Sequence, residues 1–259
     1  MQEILKLGTR PSPLALRQAS EIQNLSRRDN PPRYNIGRME AWSGFRSARS
    51  GYRNPRALAR GASFSPLKFE VSVIRTQGDK DKITPLDEVS SPDFFTREID
   101  QALLAGEIDL AVHSSKDLPD ILAKGLTLVF ETPSISPYDA LVSKDKLKLT
   151  QLPQGTRIGL SSQRRKGQIK SLRPDLEIVD IRGNIEERMA LIEKGRVDAI
   201  IVALAALLRL GLQSETSEIF SLENFTTHPK QGRLSLLAKE QRCVELKFIL
   251  LAQARAIGS

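Results

Sequence analysis

Short apolar stretches of strand length alternate with stretches of helical period along most of this chain, and that alternation excludes most folds before any motif is read. Ile4 to Gly8 reads as a strand and Ser12 to Leu25 as a helix, with Pro13 at its first position, where a missing N–H leaves nothing unpaired. Phe69 to Thr76 alternates like a strand, Phe94 to Leu104 has helical spacing, and Ile108 to Val112 reads as a buried strand. Leu126 to Glu131, Ala140 to Val142, Arg157 to Leu160 and Leu176 to Ile181 follow as strands, with a helix over Arg164 to Leu172. Ile185 to Lys194 reads as a helix closed by Gly195, and Ala199 to Ala203 as a strand feeding a helix around Leu207. From Phe225 on, the pattern predicts a loop and then a helix near Val244 to Ala254. Strands and helices in alternation, joined by short turns, imply an α/β fold whose mixed or parallel sheets are covered on both faces. No internal repeat of fixed period appears.

The 259 residues suffice for one large domain or two of ordinary size. Leu208 ends the longest uncharged apolar run, which begins at Ala199 and has ten residues, too few to cross a bilayer. A single cysteine permits no internal disulfide, and two histidines far from it give no metal cluster. The N-terminus enters a strand pattern at once, so the chain is expected to be soluble and intracellular, with no membrane partner. Its formal charge of +8 is concentrated in one place. Between Arg27 and Arg60 stand nine arginines and two acids, which leaves a net +1 for all other residues. That segment also carries Trp42, Tyr34 and Tyr52 and shows neither period, so residues 27–67 read as an irregular, solvated insertion. Basic residues interleaved with aromatics suit RNA or single-stranded DNA, a reading we rank last.

Three strand-to-helix junctions share one design. Gly8-Thr9-Arg10-Pro11-Ser12, Gly159-Leu160-Ser161-Ser162-Gln163-Arg164-Arg165 and Ile181-Arg182-Gly183-Asn184, with Arg188 one turn on, each set a small polar residue at a helix start beside an arginine. Unpaired N–H groups and the positive end of the helix dipole favour an anion there, and the guanidinium fork matches a carboxylate or phosphate. Any one junction is explained equally well as capping, and Asn184 with Glu187 forms a plausible capping box. Together they point to a ligand with several negative groups at the carboxyl ends of the strands. A fourth feature, Val112-His113-Ser114-Ser115-Lys116-Asp117-Leu118-Pro119, follows a buried strand. A carboxylate at Asp117 among cations would steady a developing positive charge or move a proton. His113 reads as a packed, hydrogen-bonded residue, and His228 is uninformative. The absence of GxGxxG and GxxxxGK[ST] argues against dinucleotide and P-loop chemistry.

The runs LGTRPSPLALRQA (7–19), RTQGDK (75–80), FTREIDQALLAGEIDLAVHSSKDLP (95–119), GLSSQRRKGQI (159–169), IRGNIEERM (181–189) and DAIIVALAALLRLGL (198–212) closely resemble hydroxymethylbilane synthase, also called porphobilinogen deaminase. The resemblance implies a tetrapyrrole-forming transferase that joins four porphobilinogen units and releases ammonia at each step. It implies two periplasmic-binding-protein-like domains with a cleft between them, a third domain largely missing here, and a dipyrromethane cofactor. By motif position it makes Asp117 the catalytic aspartate. Arg10, Ser12, Ser114, Lys116, Ser162, Arg164, Arg165, Arg182, Arg188 and Arg209 fall where the family binds cofactor or chain carboxylates. Arg209, in a leucine-rich helix, reads equally well as a capping or snorkelling residue. The implied division is 1–132 with about 229–250 as the first domain, 138–226 as the second, and 241–259 as a remnant of the third. A monomer in the cytoplasm, or in a plastid, is expected.

The departures from the family pattern are specific. Cys243, followed by VELKF, is in no Gly-Gly-Cys or Gly-Ser-Cys loop such as carries the family's cofactor thioether. SSPDF (90–94) replaces a Gly/Lys-rich stretch and with it a cofactor-contacting lysine. Leu160 and Gln163 replace a usual threonine and leucine, and THPKQGR (227–233) keeps only Gln231 and Gly232 of the hinge pattern. Weak or absent turnover is therefore expected, with a non-catalytic binder of pyrroles or polycarboxylates as the competing reading.

Overall fold

The computed structural model describes residues 4–25, 68–81, 84, 91, 93–247 and 249–250. The expected insertion at 27–67 and most of the expected third-domain remnant lie outside the described residues.

The first half runs β1 (Ile4–Thr9), α1 (Pro13–Leu25), β2 (Lys68–Val73), the short helix α2 (Gln77–Lys80), α3 (Arg97–Ala105), β3 (Leu110–Ser114), a 3₁₀ turn (Ser115–Asp117) and β4 (Leu126–Glu131). The second half runs β5 (Asp139–Ser143), β6 (Arg157–Leu160), α4 (Gln163–Leu172), β7 (Glu177–Asp180), α5 (Ile185–Glu193), β8 (Ala199–Ala203), α6 (Leu204–Leu210) and β9 (Glu218–Ile219). The chain then returns as β10 (Leu234–Lys239) to the first sheet. The stretch 234–239, expected to be loop, is thus a strand, and a buried one. It pairs antiparallel with β3 and with β4, so its backbone groups are satisfied by residues about a hundred positions away. Residues 243–247 and 249–250 are helical, as expected for the start of the last helix.

Both sheets are mixed and follow one plan. The orders are β2-β1-β3-β10-β4 and β7-β6-β8-β5-β9, with the first three strands of each parallel and the fourth antiparallel. In each half that antiparallel strand is the first one after a crossing from the other half. Each sheet is covered on both faces. Leu5, Leu7, Leu110 and Leu236 pack with Ile22 of α1 on one side of the first sheet, and Ile108, Ala111 and Leu237 pack with Ile99 and Leu103 of α3 on the other. In the second sheet Ile158, Leu160 and Ile201 meet Ile169 of α4, while Ile200 and Val202 meet Leu207 of α6. Burial on two faces is why the central strands β3 and β8 read as continuous apolar runs rather than alternating ones.

Candidate functional site

All four expected junctions sit at the carboxyl ends of parallel strands. Arg10 and Ser12 follow β1, Ser114 to Asp117 end and follow β3, Ser161 to Arg165 follow β6, and Arg182 to Asn184 follow β7. Capping accounts for part of this chemistry. The Ala15 N–H donates to Ser12 Oγ at 3.2 Å. The Asn184–Glu187 box is closed in both directions, at 2.8 and 2.9 Å. Ser162 caps α4 through its backbone alone, its carbonyl accepting from the Lys166 N–H. Ser114 Oγ accepts from Gln18 Nε2 at 2.9 Å.

The cations come together across the two halves. Arg182 Nη2 donates to the Asp81 carbonyl at 2.9 Å, its charge is felt with that of Arg10, and its guanidinium lies 5.8 Å from the Phe94 ring centre. Lys116 of the first half is under the influence of Arg165, Arg164 and Asp139 of the second, and Arg188 under that of Asp117. Burial, and then Arg165 and Arg182, bring the Arg188 guanidinium down to about 10. Burial, with Arg165 and Arg164, lowers the Lys116 ammonium against the pull of Asp117 and Asp139. Asp117 itself is exposed at the end of the 3₁₀ turn. Buried Arg182 Nη1 has no hydrogen-bond partner, and Lys116 makes no hydrogen bond or ion pair among the described residues.

Several of the expected binding residues are already engaged within the protein. Arg10 donates twice to Asp79 Oδ1, at 3.0 and 2.5 Å, and stacks over Phe95 at 4.5 Å. Arg165 grips Asp139 with two bonds, at 3.0 and 2.6 Å, while Arg164 adds a third at 3.0 Å and Gln231 Nε2 a fourth at 2.9 Å. Asp139 is fully buried. Burial alone would raise its pKa, but the two arginines and Gln231 outweigh that and hold it below the usual carboxylate range. Arg209 is held by Glu21 of α1, at 2.8 and 3.3 Å, and by the Gly232 carbonyl at 3.0 Å, so it braces α6 against α1 and the returning segment. Sequence reasoning missed Asp79, Asp139 and Glu21, the acids that fix these three positions. His113 is buried as expected, yet its Nε2 is unpaired, and burial followed by Arg10 brings it down to about 4, so it is neutral. A separate hollow of about 660 Å³ beside α4 and β7, lined by Lys166, Lys170, Leu176, Ile178 and Asp180 among others, contains none of the expected site residues.

Cys243 lies at the other end of the molecule's first half. β10 runs antiparallel to β3, so its start, Leu234, is beside Ser114, and its end leads away toward Arg242, which pairs with Asp109 at the foot of β3. A six-residue strand spans roughly 20 Å. The chain's only thiol therefore stands about that far from the cluster around Asp117.

Two α/β halves on one strand plan, joined by two crossings and each bearing arginine-flanked strand-to-helix junctions at the carboxyl ends of its strands, define a two-lobed fold. Solved structures agree: the methionine-binding protein MetQ has a TM-score of 0.52 at 11% identity, covering 99% of this chain and 90% of that one. A periplasmic substrate-binding protein of an ABC transporter from Coxiella burnetii has 0.50 at 12%, covering 98% and 92%. Residues 50–244 match the family model described as porphobilinogen deaminase, dipyromethane cofactor binding domain. Porphobilinogen deaminase of Nitrobacter winogradskyi is 36% identical over 230 residues, and that of Syntrophobacter fumaroxidans 36% over 241, covering 89% and 93% of this chain. That of Caldicellulosiruptor saccharolyticus is 44% identical over 170 residues, 66% of this chain. The chain belongs to the porphobilinogen deaminase family. It spans 63%, 66% and 59% of the lengths of these relatives. No helix among the described residues is long and apolar enough to cross a membrane.

Proposed function

We propose that the cleft between the two halves binds the carboxylates of porphobilinogen and of its linear condensation products, as in a hydroxymethylbilane synthase, and that Asp117 is the catalytic group. The observation that carries this reading is an exposed carboxylate, Asp117, whose charge acts on Lys116 of its own turn and on Arg188 of the other half, while Arg164 and Arg165 of that half act on Lys116. Each pyrrole brings an acetate and a propionate. Lys116, Arg182 and Arg188, with the N–H groups at the starts of α1, α4 and α5, would receive them, and Arg10, Arg164 and Arg165 would contribute charge from fixed positions. Ser12, Ser114 and Ser162 would serve at the rims of the same junctions, and Arg209 would set the brace behind them. Asp117 would hold a pyrrole N–H and steady the positive charge that remains when the aminomethyl group leaves as ammonia.

These donors also suit dipyrromethane. The unpaired Arg182 Nη1 and the Lys116 ammonium are the kind of groups its carboxylates would satisfy. When bound, that group supplies the primer on which the family builds its chain. Cys243 stands at the far end of β10 from these donors. A second reading is a pyrrole or polycarboxylate binder without turnover. We further propose that residues 1–132 with about 229–250 form one domain and 138–226 another, a division supported by the return of β10, and that the protein acts as a cytoplasmic monomer.

Titration calorimetry with porphobilinogen tests the reading: saturable binding, weakened at least tenfold in Arg188→Gln, is expected, and no heat of binding would end it. Ammonia release separates the two readings. Release that stops in Asp117→Asn supports catalysis, whereas binding without release supports the binder. An intact mass increased by a covalently held dipyrromethane would overturn the placement of Cys243 as uninvolved.

A further inference from the structure

The segment that returns the chain to the first sheet carries a histidine that the reading above leaves unused. His228 is half-buried, and its Nδ1 accepts the Lys230 N–H at 3.1 Å. A neutral imidazole has one donor and one acceptor nitrogen, so with Nδ1 accepting, the proton is on Nε2. Nε2 has no hydrogen-bond partner among the described residues. The segment is tied to α4 at Thr226, whose carbonyl accepts from Arg164 and whose N–H donates to Gln168. It is tied to the 3₁₀ turn at Arg233, whose carbonyl accepts the Ser115 N–H, so His228 stands between the two. The charges that act on its ring are Lys116 and Asp117 of that turn, Arg164 of α4 and Lys230 of its own segment. These are the groups that surround the candidate carboxylate site. His228 belongs to the part of the hinge segment that departs from the family pattern, so no family role is carried over to it.

We propose that His228 is an additional ligand-binding residue of the cleft, donating from Nε2 to a ligand carboxylate and taking up a proton as that carboxylate arrives. The proposal rests on the reading of the cleft as a pyrrole-carboxylate site. Without ligand, burial and then Lys116, with Lys230 and Arg164, disfavour the imidazolium, and Asp117 only partly offsets them. The ring is therefore neutral at neutral pH. A carboxylate beside Nε2 reverses the balance, because an anion now faces the ring and also offsets the charge of Lys116 and Arg164. The added proton goes to Nδ1, which gives up the bond it accepts from the Lys230 N–H. The bound form then holds a proton that the free form lacks. By linkage, affinity rises as the pH falls from about 8 toward about 6, and each unit by which binding raises the imidazole pKa is worth about tenfold in affinity.

The test is titration calorimetry of the full chain with porphobilinogen, in two buffers of different ionisation heat, at about pH 6 and about pH 8. The native chain is expected to take up protons at the lower pH and to bind at least threefold tighter there. His228→Gln keeps an amide donor near the place of Nε2 but cannot titrate. It is expected to bind like the native chain at the higher pH and to lose both the proton uptake and the gain at the lower. His228→Ala loses the donor as well and should bind more weakly at both. Proton uptake that persists in His228→Gln, or native affinity in His228→Ala, would overturn the proposal while leaving the pyrrole reading in place. No binding by the folded native chain at either pH would remove that reading and this one together. Urea midpoints of both variants, expected to match the native chain, separate a lost contact from a lost fold.

Discussion

Asp139 begins β5 with no exposed surface and four hydrogen bonds to Arg164, Arg165 and Gln231. An ionised carboxylate buried with its partners is held in place by them, and removing it strands a buried guanidinium, Arg165. Asp139→Ala is expected to destabilise the chain by about 3–5 kcal/mol in urea unfolding. Nothing local betrays this residue in the sequence, because an acid at the start of an apolar strand reads as a strand edge and its partners lie 25, 26 and 92 positions away. Arg10 and Arg165 were legible as cations at strand ends, but their pairing with Asp79 and Asp139 depends on tertiary placement. Asp100 makes a second residue-scale prediction. Burial, and then Asp93, raise its carboxyl to about 6, although Thr96 pulls the other way. The folded state thus keeps a proton that the unfolded chain releases near pH 4. Its favourable share of stability is complete below that pH and is lost as pH rises through about 6. Asp100→Asn should therefore raise the unfolding free energy measured in urea at pH 7, by about 2 kcal/mol, and leave it nearly unchanged at about pH 4.

At the scale of elements, most helix starts were legible because their chemistry is local. Pro13 opens α1, Asn184 and Glu187 close a capping box on α5, and Gly195 follows its end with φ of +64°. β10 was not legible. Its LSLLAK is too short for periodicity to distinguish strand from helix, and Ser235 interrupts the apolar run. What makes it a strand is the gap between β3 and β4, which only the folded sheet supplies. The turn into it requires Gly232. That residue has φ of +81°, and a Cβ there would collide with Ser134 Oγ and the Ser136 carbonyl of the other crossing. Gly232→Ala combines left-handed strain with a clash against backbone, for an expected loss of at least about 2 kcal/mol. Thermal unfolding should fall by about 4–8 °C, and a midpoint within a degree of the native chain would mean that the two crossings are not packed this closely.

The whole molecule repeats one five-strand plan, yet the sequence shows no period, because each half takes its antiparallel strand from beyond a crossing. The cleft was more legible than the repeat: helix starts beside arginines imply an anion site wherever they occur, and parallel strands bring such starts to one end of each sheet. Gathering cations there has a consequence for stability. Lys116 has no ion pair among the described residues, and burial with Arg165 and Arg164 disfavours its charge despite Asp117 and Asp139. Because the folded state binds this proton less tightly than the unfolded one, the charged side chain opposes folding at pH 7. Lys116→Gln should therefore melt a few degrees higher than the native chain while binding porphobilinogen at least tenfold more weakly, the trade expected where a site is built from mutually repelling groups. Added salt should raise the melting point of the ligand-free native chain for the same reason, and raise that of the Lys116→Gln variant less. A variant that melts no higher than the native chain, with affinity intact, would mean that Lys116 neither strains the cleft nor serves it.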